Sequence, residues 1–378
     1  MEMRTTLALV VSAASLFQGS VLMAGPFESP SFETTPGDIL VTGVDSSSPN
    51  NVPLILRYGP EVRAGEALSL GGSIDHGVPF VAPTSDDVCY IANGLLSPQV
   101  FKVNGQTGES EFLFSVGGNT TSGLVYDSDD DVVYAFRTVS QLGSQLIAFG
   151  PDDVFTPTTL FVYEDFNLFA PEGTVGILWN LSIDDQKNMY MRTDPVAGFN
   201  PSDNSFEQIA RIDSKTGELS ILTDPSGQPI EFDLGISHLA VLPDGRVIVN
   251  SAPHISPGSF VSFWIVEKNG TVSELFNNQD QPFPDGQVMT KIEFAAESND
   301  TIVFILSESG GNFSSICRYS ISKDEFSIVS PLPNGLVSTA DSFIDIRVVP
   351  GMKAGAPLYS ENSGDPASLQ AELPAYTK

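Results

Sequence analysis

The chain has 378 residues, with 17 Lys and Arg against 47 Asp and Glu, a formal charge of −30 at pH 7. So few cations cannot build the basic stripe that a phosphate backbone requires, which excludes nucleic acid as a partner. A 41% hydrophobic share is enough to bury a core, and 33 Gly with 27 Pro at only 17% charged residues argue against a helical or coiled-coil protein.

At the start, Arg4 precedes the apolar run TTLALVVSAASLF (5–17). A helix needs about 20 residues to span a bilayer, so this run suits the centre of a secretory signal peptide instead. Ala24 is the small residue for cleavage, which makes 1–24 the signal and 25–36 a flexible N-terminal segment. The expectation is an exported monomer, secreted or periplasmic, with no membrane insertion. Its acidity favours solubility and suits saline surroundings.

From residue 37 the chain reads as strands. GDILVTG (37–43) is followed by LRYGPEVRAGEALSL (56–70), in which two apolar runs flank a polar turn. The same form recurs in VFKVNGQTGESEFLF (100–114), LIAFGPDDVFTPTTLF (146–161), IARIDSKTGELSIL (209–222), WIVEKNGTVSELF (264–276) and CRYSISKDEFSIV (317–329). Apolar alternation on both sides of each turn is the period of a half-buried strand, and Gly in TGE and NGT supplies a positive φ. A second set of hairpins precedes these: GLVYDSDDDVVYAF (123–136), LWNLSIDDQKNMYMR (178–192), HLAVLPDGRVIVNS (238–251) and KIEFAAESNDTIVFIL (291–306). Four strands thus recur at roughly fifty-residue intervals, a propeller-blade spacing.

The first unit lacks one strand, and DSFIDIRVVP (341–350) is a strand without a hairpin. These observations predict an all-β fold. It is a six-bladed β-propeller over 37–350, closed by pairing of the C-terminal strand with the N-terminal blade, with 351–378 a flexible tail. Cys89 and Cys317 fall in different, non-neighbouring units and read as buried thiols rather than a disulfide.

The stretch LAVLPDGRVIV resembles the blade signature of the NHL and SMP-30/gluconolactonase-like six-bladed propellers. The resemblance is one of rhythm across the propeller region, and it implies the fold more than an activity.

In a blade, the turns joining first to second and third to fourth strands share one face, and here they are short. The other face carries the long connections 164–173, 193–207, 224–235, 251–260 and 277–286, which makes it the expected working face. Aligning the blades by their turns places Pro79, Gly123, Asn180, His238, Lys291 and Asp345 around the channel mouth on that face. Trp179 and His254 stand beside the ring. An amide, an imidazole, an ammonium and a carboxylate so arranged would orient a polar ligand or hold a hard cation. DSDDD (127–131) reads as a solvated turn, since it lacks the Gly and distal Glu of a calcium loop.

Two functions follow. One is a secreted non-catalytic propeller binding an extracellular or envelope protein or a glycan, with no cofactor. The alternative, implied by the resemblance, is a metal-assisted hydrolase or lactonase. In that group Glu, Asn and Asp hold the metal, and Asn180 and Asp345 match two of these by position, with calcium the ion to consider. No Glu occupies the ring, because Glu293 lies two residues inward of Lys291, whose charge would repel a cation. HExxH, G-x-S-x-G and phosphate-loop motifs are absent, which favours binding.

Overall fold

The computed structural model describes residues 36–45, 52–58, 66–69, 80–84, 88–93, 99–104, 109–115, 120–139, 143–150, 157–163, 175–196, 207–232, 235–251, 260–287, 289, 294–307, 313–331 and 345–349. The expected signal segment 1–24, residues 25–35 and the tail 351–378 lie outside the described residues.

The apolar runs form strands, and the strands form six four-stranded antiparallel sheets among the described residues. Five sheets are consecutive in sequence; the remaining one joins Ile346–Val348 to Ile39–Asp45, Val52–Tyr58 and Glu66–Ser69. One strand of each sheet lies at the centre: Phe80–Pro83, Thr120–Asp127, Val175–Ile183, His238–Val241, Phe294–Ser298 and Ile346–Val348. Each touches the next, and Ile346–Val348 touches both Phe294–Ser298 and Phe80–Pro83. This all-β arrangement of sheets about an axis is that of a β-propeller. Its only described helical element is the single turn Pro284–Gly286.

Burial grades outward along each sheet. His238–Val241 and Val247–Ser251 are buried at every position, because a neighbouring sheet covers each face. The fourth strand of that sheet, Val272–Asn277, is exposed at Ser273 and Glu274. The inner pair therefore lacks the half-buried alternation that marks the outer hairpins. The core is accordingly a set of layers between adjacent sheets. Phe136, Leu146, Leu181, Met191 and Ile212 fill one layer, while Phe263, Phe276, Phe294, Phe304 and Tyr319 fill another. In the latter Phe263 stacks on Phe276 at 4.6 Å and meets Phe294 edge-on at 5.1 Å.

Gly217 of the TGE turn has φ +69°, and its N–H donates to the Asp213 carbonyl at 2.8 Å. A Cβ there would lie 2.1 Å from the Phe161 ring of the neighbouring sheet, so both backbone and packing require glycine. Cys317 is a buried free thiol, pushed up to about 12 by burial. The side chain of Cys89 lies outside the described residues.

Of the 341–350 read from sequence as the last strand, residues 341–344 and 350 lie outside the described residues. The ladder to Ile39–Val41 covers Ile346–Val348, and the backbone N–H of Asp345 donates instead to the Thr42 hydroxyl at 2.8 Å. Where the other described sheets turn from first to second strand, this one has the two ends of the propeller: the Gly37 N–H donates to the Val349 carbonyl at 2.9 Å.

Replacing Phe263 by Ala empties the centre of the aromatic layer and should lower the unfolding free energy by about 3–5 kcal/mol. Urea denaturation followed by tryptophan fluorescence measures this. A loss below about 1 kcal/mol would show that the layer repacks.

Candidate functional site

At the mouth where the inner strands begin, polar side chains join one sheet to the next. Asn180 has φ +60° and sits in a bulge between Trp179 and Ser182; Gly123, at φ +144°, holds the matching bulge one sheet earlier. Asn180 Nδ2 lies 2.9 Å from His238 Nδ1, and His238 Nε2 lies 3.2 Å from the Phe294 carbonyl oxygen. A carbonyl only accepts, so Nε2 carries the proton and Nδ1 accepts from the Asn180 amide. Burial, reinforced by the Arg347 and Arg192 charges, holds the imidazole down to about 3, so it stays neutral. Three consecutive sheets are thereby tied through one ring, and His238 has no nitrogen left for a cation or a proton.

Asp345 is held through one of its oxygens. It is 3% exposed, and its Oδ2 accepts from the Val81 N–H at 2.9 Å and from Arg347 Nε at 3.0 Å. Burial raises its pKa, and the Arg347 guanidinium opposes that rise. Two acceptors in this region remain unused: Asn180 Oδ1 is buried with no hydrogen-bond partner, as is Asn250 Oδ1 on the strand opposite His238.

The structure therefore brings Asn180 and His238 together and sets Asp345 at the start of its own inner strand. The expected ring members Pro79 and Lys291, and His254 beside them, lie outside the described residues, as does the side chain of Trp179. Among the described residues no group of three or more His, Cys, Asp or Glu is arranged to hold a metal.

The opposite mouth, on the short-turn face, holds a cavity of about 550 Å³. Inner-strand ends and turns line it, including Asp127, Asp184, Asp185, Lys187 and Glu297. Lys187 reaches from its own turn to the preceding sheet, where it pairs with Asp127 at 3.1 Å and with Asp130. The acidic DSDDD stretch is thus a turn held by a lysine from the next blade, and Asp129 N–H donates to Asp127 Oδ1 at 2.9 Å. Asp184 Oδ1 accepts from Gln186 and Asn188 N–H groups, and its Oδ2 from Asn188 Nδ2 and the Tyr190 hydroxyl. Reading the sequence missed these residues as a group. The signal available was the acidic residue closing two successive inner strands, at Asp127 and Asp184.

No protein-family model matches the chain. A search of curated proteins finds no relative. Among solved structures it is similar to a chain of a nidogen/laminin complex, at TM-score 0.52 and 12% identity over 83% of this chain and 100% of that one. It is also similar to TolB from Acinetobacter baumannii, at TM-score 0.52 and 13% identity over 82% of this chain and 66% of that one. At these identities the likeness is one of fold, and the fold is a β-propeller.

His238 binds fewer protons folded than unfolded between its ordinary value of 6.5 and about 3, so its contribution to stability is complete above 6.5 and is lost as pH falls through that window. Between pH 6.5 and 5 wild type should lose about 2 kcal/mol more than His238→Gln, at 1.36 kcal/mol per unit. Urea titrations at both pH values test this, and equal losses would place a charged imidazole in the fold.

Proposed function

We propose that the six sheets are the blades of a closed six-bladed propeller spanning residues 37–350, exported by segment 1–24 to a secreted or periplasmic location. Its role is to bind a protein or glycan partner without catalysis, through the long connections of the face where the inner strands begin. One observation carries this reading. The titratable side chains at that mouth are bonded within the frame of the sheets, with Asn180, His238 and the Phe294 carbonyl in one chain and Asp345, Val81 and Arg347 in another. A general base or nucleophile needs a free lone pair aimed at substrate; both His238 nitrogens are engaged, and the Asp345 carboxylate is buried with its Oδ2 held by Val81 and Arg347. Binding then falls to the loops that this rigid rim supports. The closed ring is supported by Ile346–Val348 touching an inner strand on either side of it. The similar nidogen/laminin chain comes from a protein–protein complex.

Replacing 164–173 and 251–260 with Gly-Ser segments should leave the melting temperature unchanged and abolish retention on the envelope of the source organism. Retention equal to wild type would overturn the long-loop assignment.

A metal-assisted hydrolase is the second reading, favoured by the unused Asn180 Oδ1, an oxygen that a hard cation would accept. Asn180 and Asp345 would be its ligands, with Asp345 Oδ2 already shared by Arg347 and Val81. For a binding propeller, calcium at 100 times a micromolar Kd leaves the melting temperature unmoved, whereas a genuine site adds about 2.7 kcal/mol. A calcium-induced rise that Asn180→Ala removes would decide for the metal site.

A further inference from the structure

The middle of the axial channel takes no part in the function proposed above. It is a space of about 160 Å³ lined by all six inner strands. Ala82, Leu124, Val125, Ala240 and Ala295 give it an apolar wall, and Arg347 is the one charged residue that lines it. Arg347 Nε is held by Asp345 Oδ2 at 3.0 Å, and the side chain is 17% exposed. Neither of its Nη nitrogens has a hydrogen-bond partner among the described residues. Ser182 also lines the space; its Oγ accepts from the Val241 N–H at 3.0 Å, while its hydroxyl hydrogen meets no acceptor among the described residues. No carboxylate, amide or imidazole stands among the lining residues to receive these donors. A guanidinium fixed through Nε presents its two Nη groups as a fork, a shape that a carboxylate matches with two parallel bonds.

Towards the short-turn face this space opens into the cavity of about 550 Å³, with which it shares Tyr126, Ile183, Val241, Ala296 and Val348. The carboxylates of that outer cavity are engaged with the protein and make no site of their own. Lys187 is paired with Asp127 and Asp130, Glu297 with Arg318, and Asp184 accepts from Gln186, Asn188 and Tyr190. They still outnumber the single lysine among the lining residues, so a simple anion meets a repulsive field on its way to Arg347. A ligand whose far end is cationic does not.

We propose that the channel binds a short linear amino acid end-on, with its carboxylate on the Arg347 fork and the Ser182 hydroxyl. Its methylenes lie along the aliphatic walls, and its ammonium faces the outer cavity. Arg347 lines the inner space and Val349 the outer one, so the two charges of the ligand are about 7 Å apart, two residues of extended chain. That is the reach of δ-aminovalerate. An inorganic phosphate lacks the hydrocarbon that the walls would cover, and a sugar needs side-chain acceptors that the inner space does not offer. The site is separate from the long loops at the other mouth, so both can be occupied together.

The probes are δ-aminovalerate, valerate and n-pentylamine, titrated calorimetrically into the full mature chain in chloride-free buffer at low ionic strength. δ-Aminovalerate should bind about tenfold or more tightly than valerate, which lacks the ammonium, and than n-pentylamine, which lacks the carboxylate. Arg347→Lys keeps the charge but loses the fork, and should weaken δ-aminovalerate binding by about tenfold. Ala296→Leu narrows the passage between the two spaces without touching the Asp345–Arg347 pair, and should weaken binding by a similar factor. It carries the test where circular dichroism shows that Arg347→Lys has lost its fold. The Gly-Ser loop variants should bind as wild type does, which separates this site from the long-loop face. Valerate binding as tightly as δ-aminovalerate would remove the cationic end and overturn the proposal. So would n-pentylamine binding as tightly, since that is attraction to the overall negative charge. Affinity unchanged in the folded variants, or no binding of any of the three probes, overturns it as well.

Discussion

The architecture depends on one non-local pairing. Ile346–Val348 adds to the edge of Ile39–Val41, and Asp345 and Thr42, 303 positions apart, exchange two hydrogen bonds. Without that strand the first sheet would lack its central member, and the inner strands Phe294–Ser298 and Phe80–Pro83 would each lose a neighbour. The Asp345 carboxylate extends the pairing sideways, because its bond to the Val81 N–H joins the first sheet to the second. A pairing of such separation carries a large loop-closure cost, which must be met before its contacts contribute.

Around the axis, sheets are joined by a repeated kind of polar tie. Ser182 accepts from the Val241 N–H at 3.0 Å, His238 Nε2 donates to the Phe294 carbonyl at 3.2 Å, and the Asp345 carboxylate accepts from the Val81 N–H at 2.9 Å. Hydrophobic layers supply the attraction between sheets but little positional definition. The ties fix how far each blade slides against the next. A buried group satisfied in this way is costly to disturb, which makes the mouth a frame for loops rather than a set of reactive groups.

The large negative charge is accommodated at the turns. Asp224 accepts from the Ser226 hydroxyl and the Gln228 N–H, and Asp300 from the Ser320 and Ser322 hydroxyls, which hold both carboxyls below their ordinary range. These acids cap local backbone and hydroxyl donors and stay ionised at the surface. Where acids gather at the short-turn mouth, Lys187 and Arg318 cross between strands to offset part of their charge.

Strand rhythm, turn positions and the orphan C-terminal strand are local properties, so they are legible in one dimension. Gly217 with its positive φ, the hairpin of HLAVLPDGRVIVNS and the bulge positions Gly123 and Asn180 can all be read by counting from turns. That counting also sets Asn180 and His238 at one level of the channel. It does not reveal that they bond to each other, that the Phe294 carbonyl fixes the tautomer, or that Lys187 belongs to the preceding blade's acidic turn. Those facts depend on the rotation and slide between sheets, which are decided by side-chain packing across layers. Neither the short-turn cavity nor its acidic rim exists in any single blade; both arise only where strand ends distant in sequence converge on one axis.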